Sequence, residues 1–303
     1  MTGRIVVHGG VDMPATHEVF DVLREAARRG ADVLAAASDP VAAVEAAICH
    51  LEDAPIFNAG RGSVLNAEGM VESDAGIADG SSERFAGVSG LSDTTNPIRA
   101  AVELLRRRPG PVLLAGEGAR RFARDAGLPS TDLRTDEQLA IWQEVRRSGL
   151  DAAVSAFTGR TLSLTETVGC IAASAQGRLV AASSTGGLLF KMPGRVGDAS
   201  VNGAGIHADA DLAVLCSGQG EASIELSLAQ RAASQARLHG SMAAARWAVS
   251  HGVESKSMRG AVLVYDRRTD ETSAVHSGAS FPVVTASGTD VSVVPATPLE
   301  RVS

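Results

Sequence analysis

Thr167 lies in a setting that would let a threonine act as a nucleophile. A polar connector at 158–166, TGRTLSLTE, precedes it, and the apolar run VGCIAASA follows. A threonine hydroxyl attacks poorly at neutral pH unless a base lies beside it, and a freed α-amine, with an ordinary pKa of about 7.7–8.0, supplies that base. Cleavage before Thr167 would place both groups on one residue. By itself, Thr-Val-Gly is far more typical of the start of a buried strand than of a nucleophile.

The elements that would position Thr167 follow from hydrophobic periodicity. The run 168–184 alternates on both sides of Gln176-Gly177 and predicts a β-hairpin. Asp39 and Pro40 predict the start of a helix. Other strands are predicted at 3–8, 70–77, 84–89, 112–115, 211–216, 260–266 and 271–276, with further strand-like residues after 286, and helices at 15–30, 40–51, 97–107, 117–126, 135–157, 220–238 and 241–250. This order predicts two sheets between helical layers.

Composition narrows the class of protein. The chain has 303 residues and a net charge of -7, and its run Arg106–Arg108 ends a helical pattern, so nucleic acid is not an expected partner. No apolar stretch is long enough to span a bilayer, and no signal peptide is apparent, so no membrane partner is expected. The cysteines Cys49, Cys170 and Cys216 are far apart in apolar contexts, which predicts reduced thiols and a cytoplasmic location.

Long motifs occur in a defined order along the chain. Around and after Thr167 they are ETVGCIAASAQGRLVAASSTGG, KMPGRVGDASVNGAG and CSGQGE. Before it they lie at 6–10 (VVHGG), 51–69, 72–80, 88–101 and 113–123. Together they resemble the plant-type asparaginases, also called isoaspartyl peptidases, which are N-terminal-nucleophile hydrolases. The resemblance covers nearly the whole chain and thins only in 127–160 and after about 266.

The resemblance implies a role for each matching residue in the second half. Thr167 is the nucleophile and its freed amine the general base, while Thr185 holds the nucleophile's geometry. Arg195 and Asp198 hold the amino acid end of the substrate, because a guanidinium fits a carboxylate and a carboxylate binds an ammonium. Without the resemblance, an Arg-Asp pair at this spacing is more typical of a loop salt bridge, and Thr185 of a strand end.

The motif CSGQGE resembles the family's oxyanion hole. Ser217 would contribute its hydroxyl and Gly218 its backbone N–H, and Gly220 would line the substrate site. The family usually has threonine where Ser217 stands. Since a serine side chain rotates more freely than a β-branched one, we expect an altered rate or substrate preference with function retained.

The first half contributes by resemblance as well. Asn58 matches a side chain that reaches the active site. The segment around it resembles a loop that circles a structural sodium ion with backbone carbonyls, which here would come from Leu51, Glu52, Ala54, Phe57, Ala59 and Arg61. Catalysis itself is expected to need no cofactor.

Besides Ser217, three sites in the chain depart from the family pattern. Val11-Asp12 follow HGG where Ala-Gly is common, Glu166 precedes the nucleophile where glycine or aspartate is usual, and Arg259-Gly260 replace a frequent Gly-Gly. The first departure is expected to reshape a nearby loop. The second is expected to change the rate of self-cleavage. None of them removes a chemical role.

The resemblance implies an α+β fold, a four-layer αββα sandwich of the N-terminal-nucleophile type. It also implies one domain over 1–303, cut between Glu166 and Thr167 into an α subunit, 1–166, and a β subunit, 167–303. The expected substrates are L-asparagine and β-aspartyl peptides, and the expected assembly is a homodimer of αβ units. The preferred substrate and any activation by potassium stay open.

Three alternatives remain to be weighed. One is a glycosylasparaginase-like activity, disfavoured here because no export signal is apparent. Another is an uncleaved binding protein or pseudoenzyme of the same fold, for which Ser217 and Glu166 are the only support. The third is nucleotide binding, suggested by the glycine-rich NAGRGS and AGEGAR. The string GxxxxGK[ST] of a phosphate-binding loop is missing, so we dismiss it.

Overall fold

The structure, a computed structural model, describes residues 3–107, 109–150 and 166–300. The helices of these residues are α1 His17–Ala37, α2 Pro40–Asp53, α3 Pro97–Arg106, α4 Gly116–Asp125, α5 Asp136–Ser148, α6 Gly220–Leu226, α7 Leu228–His239 and α8 Ser241–Lys256. The strands are β1 Arg4–His8, β2 Ser73–Asp79, β3 Arg84–Leu91, β4 Leu113–Ala115, β5 Val168–Ala173, β6 Leu179–Thr185, β7 Ile206–Ala208, β8 Leu212–Gly218, β9 Gly260–Asp266, β10 Glu271–His276, β11 Val283–Ser287, β12 Asp290–Val294 and β13 Ala296–Pro298. The fold is therefore mixed α and β, as predicted.

Two sheets organise the chain. The larger has eight strands in the order β12-β11-β1-β5-β6-β2-β3-β4, and the smaller has five in the order β13-β10-β9-β8-β7. Strand β1 pairs antiparallel with β5 on one side and with β11 on the other. The strand-like residues predicted after 286 belong to β11–β13. The predicted hairpin around Gln176-Gly177 is confirmed as β5 and β6.

Hydrophobic side chains form three large clusters. The first joins α1–α4 to one face of the larger sheet and includes Leu23 and Ile77. The second includes Val6 and Leu263 and draws on strands of both sheets. The third joins the smaller sheet to α7 and α8, where Ala232 and similar small residues predominate. Because successive residues of a strand point to opposite faces, Val6 and its neighbour Val7 belong to different clusters.

The predicted single helix at 220–238 is wrong, because α6 and α7 are separate. Ser227 between them has a φ of 48°, in the left-handed region. The N–H groups of Ala229 and Gln230 donate to the carbonyls of Ala204 and Gly203, at 3.0 and 2.9 Å. These loop carbonyls replace the partners that a continuous helix would supply, so a new helix begins there.

The predicted helix at 135–157 is shorter in the structure. It ends at Ser148, and Gly149, with a φ of 85°, follows it. The rest of that prediction after residue 150, and most of the connector 158–166, lie outside the described residues. Within the part of the chain that the structure describes, no helix is long and apolar enough to cross a membrane.

Candidate active site

Thr167 immediately precedes β5 and is almost fully buried, with 3% of its surface exposed. The register of β1 against β5 places His8 opposite Gly169, so the chain leaving β1 passes Thr167. Gly10 has a φ of 103°, and a Cβ there would lie 3.0 Å from the Thr167 nitrogen. Only glycine fits this approach without displacing the backbone.

The carbonyl oxygen of Glu166 accepts two hydrogen bonds from side chains. The Thr185 hydroxyl donates at 2.9 Å and the Asn58 amide Nδ2 at 3.3 Å. Asn58 is itself held, since Nδ2 also donates to the Gly187 carbonyl and Oδ1 accepts from the Val64 N–H. The peptide bond before Thr167 therefore has two fixed donors on its oxygen, a geometry that stabilises negative charge there.

Ser217 and Gly218 end β8. The Ser217 hydroxyl oxygen accepts a hydrogen bond from the Val11 N–H at 3.0 Å, so its own hydrogen remains available for donation. Gly218 has a φ of 127°, and a Cβ there would lie 2.3 Å from the Arg259 carbonyl oxygen. Gly10 lies against Thr167, Val11 follows Gly10, and Val11 contacts Ser217. The end of β8 that carries Ser217 and Gly218 therefore lies near Thr167.

Arg195 does not pair with Asp198. Its Nε and Nη2 donate to the two carboxylate oxygens of Glu221 at 2.8 and 2.9 Å. A guanidinium has five N–H donors, so three remain for another carboxylate. Gly220 lies against both residues, because a Cβ there would be 2.9 Å from Arg195 Nη2 and 3.2 Å from Asp198 Oδ1. The expected substrate-binding residues Arg195, Asp198 and Gly220 are thus brought together.

Asp198 is buried and keeps one open oxygen. Its Oδ2 has no hydrogen-bond partner within the described ranges. Burial raises its pKa to about 6, against the opposing effects of the Ser223 hydroxyl and the Arg195 charge. A buried carboxylate with an unused oxygen is suited to binding an ammonium group.

Asp74, which sequence reasoning did not single out, holds the loop that carries Arg195 and Asp198. Its carboxylate accepts hydrogen bonds from the Gly197 and Gly90 N–H groups, at 2.8 and 3.1 Å. Burial raises its pKa, and the nearby Lys191 acts in the opposite direction. Asp74 also lies opposite Thr185 in the β2–β6 ladder. The available signal was an acidic residue inside an otherwise buried strand.

His8 is also near Thr167, and burial lowers the pKa of its imidazole to about 3. The ring therefore stays neutral at ordinary pH. It lies over Gly169, where a Cβ would be 2.3 Å from Nε2, and its centroid is 5.0 Å from that of Phe281. These contacts indicate a structural role for this histidine.

The loop after α2 turns tightly on itself. A Cβ on Gly60 would lie 2.5 Å from the Glu52 carbonyl oxygen, and one on Gly62 would lie 1.9 Å from that of Phe57. The Glu52 side chain is buried and accepts hydrogen bonds from the Ser184 hydroxyl and the Ile98 N–H. Both of these hydrogen bonds go to Oε1, while the carbonyl oxygen of Glu52 lies against Gly60 in this loop. No group of three or more His, Cys, Asp or Glu within the described residues could hold a metal.

Comparison with known protein families identifies the class of protein to which this chain belongs. The family model described as "Asparaginase" matches residues 1–289. This chain belongs to that asparaginase family of hydrolases.

Individual relatives agree with the family. The plant-type L-asparaginase of Pyrococcus abyssi is 40% identical over 245 residues, which are 77% of this chain and 79% of the relative. The isoaspartyl peptidase/L-asparaginase of Rattus norvegicus is 37% identical over 75% of this chain and 69% of its own length. The probable isoaspartyl peptidase/L-asparaginase 2 of Arabidopsis thaliana is 34% identical, over 75% and 78% respectively.

Proposed function

We propose that this chain cuts itself between Glu166 and Thr167 and then hydrolyses L-asparagine or β-aspartyl peptides. One observation supports self-cleavage above the others: the Glu166 carbonyl oxygen accepts hydrogen bonds from both Asn58 and Thr185. The names of the relatives supply the substrate class, since they are L-asparaginases and isoaspartyl peptidases.

In self-cleavage, the Thr167 hydroxyl oxygen bonds to the Glu166 carbonyl carbon. Negative charge on the carbonyl oxygen is stabilised by Asn58 and Thr185. The C–N bond then breaks, and the hydroxyl proton passes to the departing nitrogen, which leaves an ester. Water hydrolyses the ester, restores the hydroxyl and gives Glu166 a carboxylate. The products are the α subunit 1–166 and the β subunit 167–303, and the second begins with a free amine.

In the mature enzyme, the same hydroxyl attacks the side-chain amide carbon of asparagine, or the equivalent carbon of a β-aspartyl peptide. The Thr167 amine takes the hydroxyl proton and later gives a proton to the leaving nitrogen. The Ser217 hydroxyl and the Gly218 N–H stabilise the oxyanion. Ammonia or an amino compound leaves, and water releases aspartate from the ester.

Recognition of the amino acid end follows from the site's charges. Arg195 would bind the substrate α-carboxylate through the donors that Glu221 does not use. Asp198 would bind the α-ammonium through its open oxygen. Because these groups are common to asparagine and β-aspartyl peptides, one site serves both substrates.

We also propose an architecture, an assembly and a location for this protein. Three hydrophobic clusters, one of them shared by the two sheets, support a four-layer αββα sandwich and a single domain. A homodimer of αβ units is proposed from the family resemblance. A cytoplasmic location is supported by three cysteines that are all buried and free.

The loop after α2 fits a structural sodium ion. Carbonyl oxygens of Glu52 and Phe57 lie against Gly60 and Gly62, where side chains would fill the space. The proposed ligands are the carbonyls of Leu51, Glu52, Ala54, Phe57, Ala59 and Arg61. A hard cation bound by carbonyls would fix the loop that leads to Asn58. Catalysis needs no cofactor in this proposal.

The deciding experiment is intact mass spectrometry of the purified wild type and of Thr167→Ala, with Ser183→Ala as a control on the neighbouring strand. We expect two fragments in the wild type and in the control, the second beginning at Thr167, and one uncut chain in Thr167→Ala. A wild type that stays uncut would instead favour a pseudoenzyme of the same fold.

A further inference from the structure

Lys191 is one of two lysines in the chain and lies in the loop after β6. Only 5% of its surface is exposed. Its main chain is fixed on both sides, since its N–H donates to the Leu188 carbonyl and its carbonyl accepts from the Ala67 N–H. A lysine is seldom this buried unless its ammonium is paired and hydrogen-bonded. No step of the proposed mechanism uses this ammonium.

The ammonium of Lys191 lies near two main-chain carbonyls and a buried carboxylate. Nζ donates to the Glu72 carbonyl and, at 3.0 Å, to the Gly186 carbonyl. Burial lowers the pKa of Lys191, and the negative charge of Asp74 opposes that shift. Burial raises the pKa of Asp74, and the positive charge of Lys191 opposes it in turn. The two groups therefore stabilise each other's charged form in the interior.

The Gly186-Gly187 turn, which accepts this hydrogen bond, packs closely against the lysine. Gly187 has a φ of 81°, and a Cβ there would lie 2.7 Å from Lys191 Nζ. A Cβ on Gly186 would lie 2.3 Å from Asn58 Oδ1. The turn is therefore in close contact with both Lys191 and Asn58, and glycines are the residues that leave room for these contacts.

Both donors to the Glu166 carbonyl are held by the same turn. The Gly187 N–H donates to the Thr185 hydroxyl oxygen at 3.0 Å, which leaves the hydroxyl hydrogen for the Glu166 carbonyl. The Gly187 carbonyl accepts from Asn58 Nδ2 at 2.7 Å, and the Gly186 N–H donates to the Asn58 carbonyl at 2.8 Å. A shift of the turn would therefore misplace both donors at once.

These contacts connect one buried charge to the peptide bond before Thr167. We propose that Lys191 is a positioning residue for self-cleavage. Its ammonium fixes the Gly186-Gly187 turn, and the turn orients both donors to the Glu166 carbonyl. A point charge with three N–H donors suits this place, because it can bind two carbonyls and still face a carboxylate. The inference rests on the proposed self-cleavage and names a residue that acts through others.

The first test is a time course of fragment formation in the wild type, Lys191→Met and Lys256→Met. Methionine keeps an unbranched side chain of similar length and removes the ammonium. We expect Lys191→Met to cleave about 100-fold more slowly, because both donors lose their alignment with the developing oxyanion. Lys256→Met is the matched control and should cleave at the wild-type rate, since Lys256 is 40% exposed and pairs with the exposed Glu225.

A double-mutant cycle with Thr185→Val separates positioning from a general effect on the fold. If Lys191 acts through Thr185, the two substitutions remove parts of the same interaction, and their effects do not multiply. Each single variant is expected to be slowed about 100-fold, so independent effects would give about 10,000-fold. We expect the double variant to be slowed by less than about 1,000-fold. A full multiplication of the two effects would overturn the positioning role.

Lys191→Met leaves the Asp74 carboxylate buried without that nearby cation, which works against folding. The comparison is therefore repeated between Asp74→Asn and Asp74→Asn/Lys191→Met, with thermal unfolding of every variant. We expect the second to be folded and to cleave about 100-fold more slowly than the first. Loss of the folded state in both backgrounds would make Lys191 a determinant of folding and overturn the inference.

The outcomes also separate this role of Lys191 from self-cleavage itself. Wild-type cleavage together with equally fast cleavage in a folded Lys191→Met would overturn the role of Lys191 alone. A wild type that never cleaves would overturn the proposed self-cleavage, and the role of Lys191 with it.

Discussion

Asp12 and Arg259 form a two-pronged ion pair that joins the loop after β1 to the start of β9. Arg259 Nε and Nη2 lie 2.5 and 2.9 Å from the two carboxylate oxygens of Asp12. The main chain of Arg259 in turn exchanges hydrogen bonds with Gln219, and its carbonyl abuts Gly218. The pair therefore links Gly10 and Val11 to the segment that carries the proposed oxyanion donor.

Substitution of Asp12 or Arg259 should lower kcat for asparagine more than it changes KM. We expect Asp12→Ala or Arg259→Ala to lower kcat for asparagine by about 10-fold with little change in KM, because a displaced Gly218 stabilises the oxyanion less well. Arg4→Ala is the control, since the Arg4–Asp270 pair also joins the N-terminal segment to the second half of the chain, from the opposite end of β1. An equal loss in Arg4→Ala would point to general destabilisation.

Self-cleavage should depend on the two donors to the Glu166 carbonyl. We expect Thr185→Val to slow the appearance of fragments by about 100-fold, because it removes a donor from the developing oxyanion. Asn58→Leu should act in the same direction. The measurement is a time course on a denaturing gel. Ser183→Ala, which removes a hydroxyl from the same strand, should cleave at the wild-type rate, and comparable cleavage in Thr185→Val would contradict the assignment.

Gly10→Ala should block cleavage for a reason beyond backbone strain. A Cβ there would lie 3.0 Å from the Thr167 nitrogen, at a φ of 103°. Gly240, with a φ of 84° and no neighbour within 4 Å, supplies the comparison. Gly240→Ala should cost about 1–3 kcal/mol of stability and cleave normally. Thermal unfolding and fragment analysis of both variants separate strain from crowding, and normal cleavage in Gly10→Ala would exclude the crowding.

Recognition of the substrate ammonium should titrate with Asp198. Burial raises the pKa of this carboxyl to about 6, so it is protonated below that pH and anionic above it. The ratio of kcat/KM for asparagine to that for succinamate, which lacks the α-amine, should therefore rise by about 10-fold between about pH 5 and about pH 7. Titration of the Thr167 amine cancels in this ratio. A ratio that is flat with pH would contradict the role of Asp198.

The sequence predicted the two sheets and most helices because these depend on local periodicity and capping. It did not predict the break at Ser227, since that break depends on carbonyls at 203–204 that a local pattern cannot reveal. Nor does it predict the pairing of Asp12 with Arg259, because the two residues are 247 positions apart in the chain.

For the candidate site as well, the sequence predicted some features and missed others. Motif resemblance predicts roles for Thr167, Arg195 and Asp198, and the structure places Gly220 against the last two. The pairing of Arg195 with Glu221 was missed because a carboxylate in a helix's first turn reads as an ordinary surface residue. Only their contact in the structure indicates that Glu221 orients the Arg195 guanidinium.

Strand β1 lies between β5 and β11, and β6 pairs with β2, so strands from before and after position 167 are interleaved in the larger sheet. After a cut at Thr167, both edges of β1 would still be hydrogen-bonded to the other polypeptide. The two pieces would remain together under native conditions without a covalent link. Refolding of the two pieces would then be bimolecular and would depend on protein concentration. The lifetime of the mature protein would therefore be set by its slow rate of unfolding.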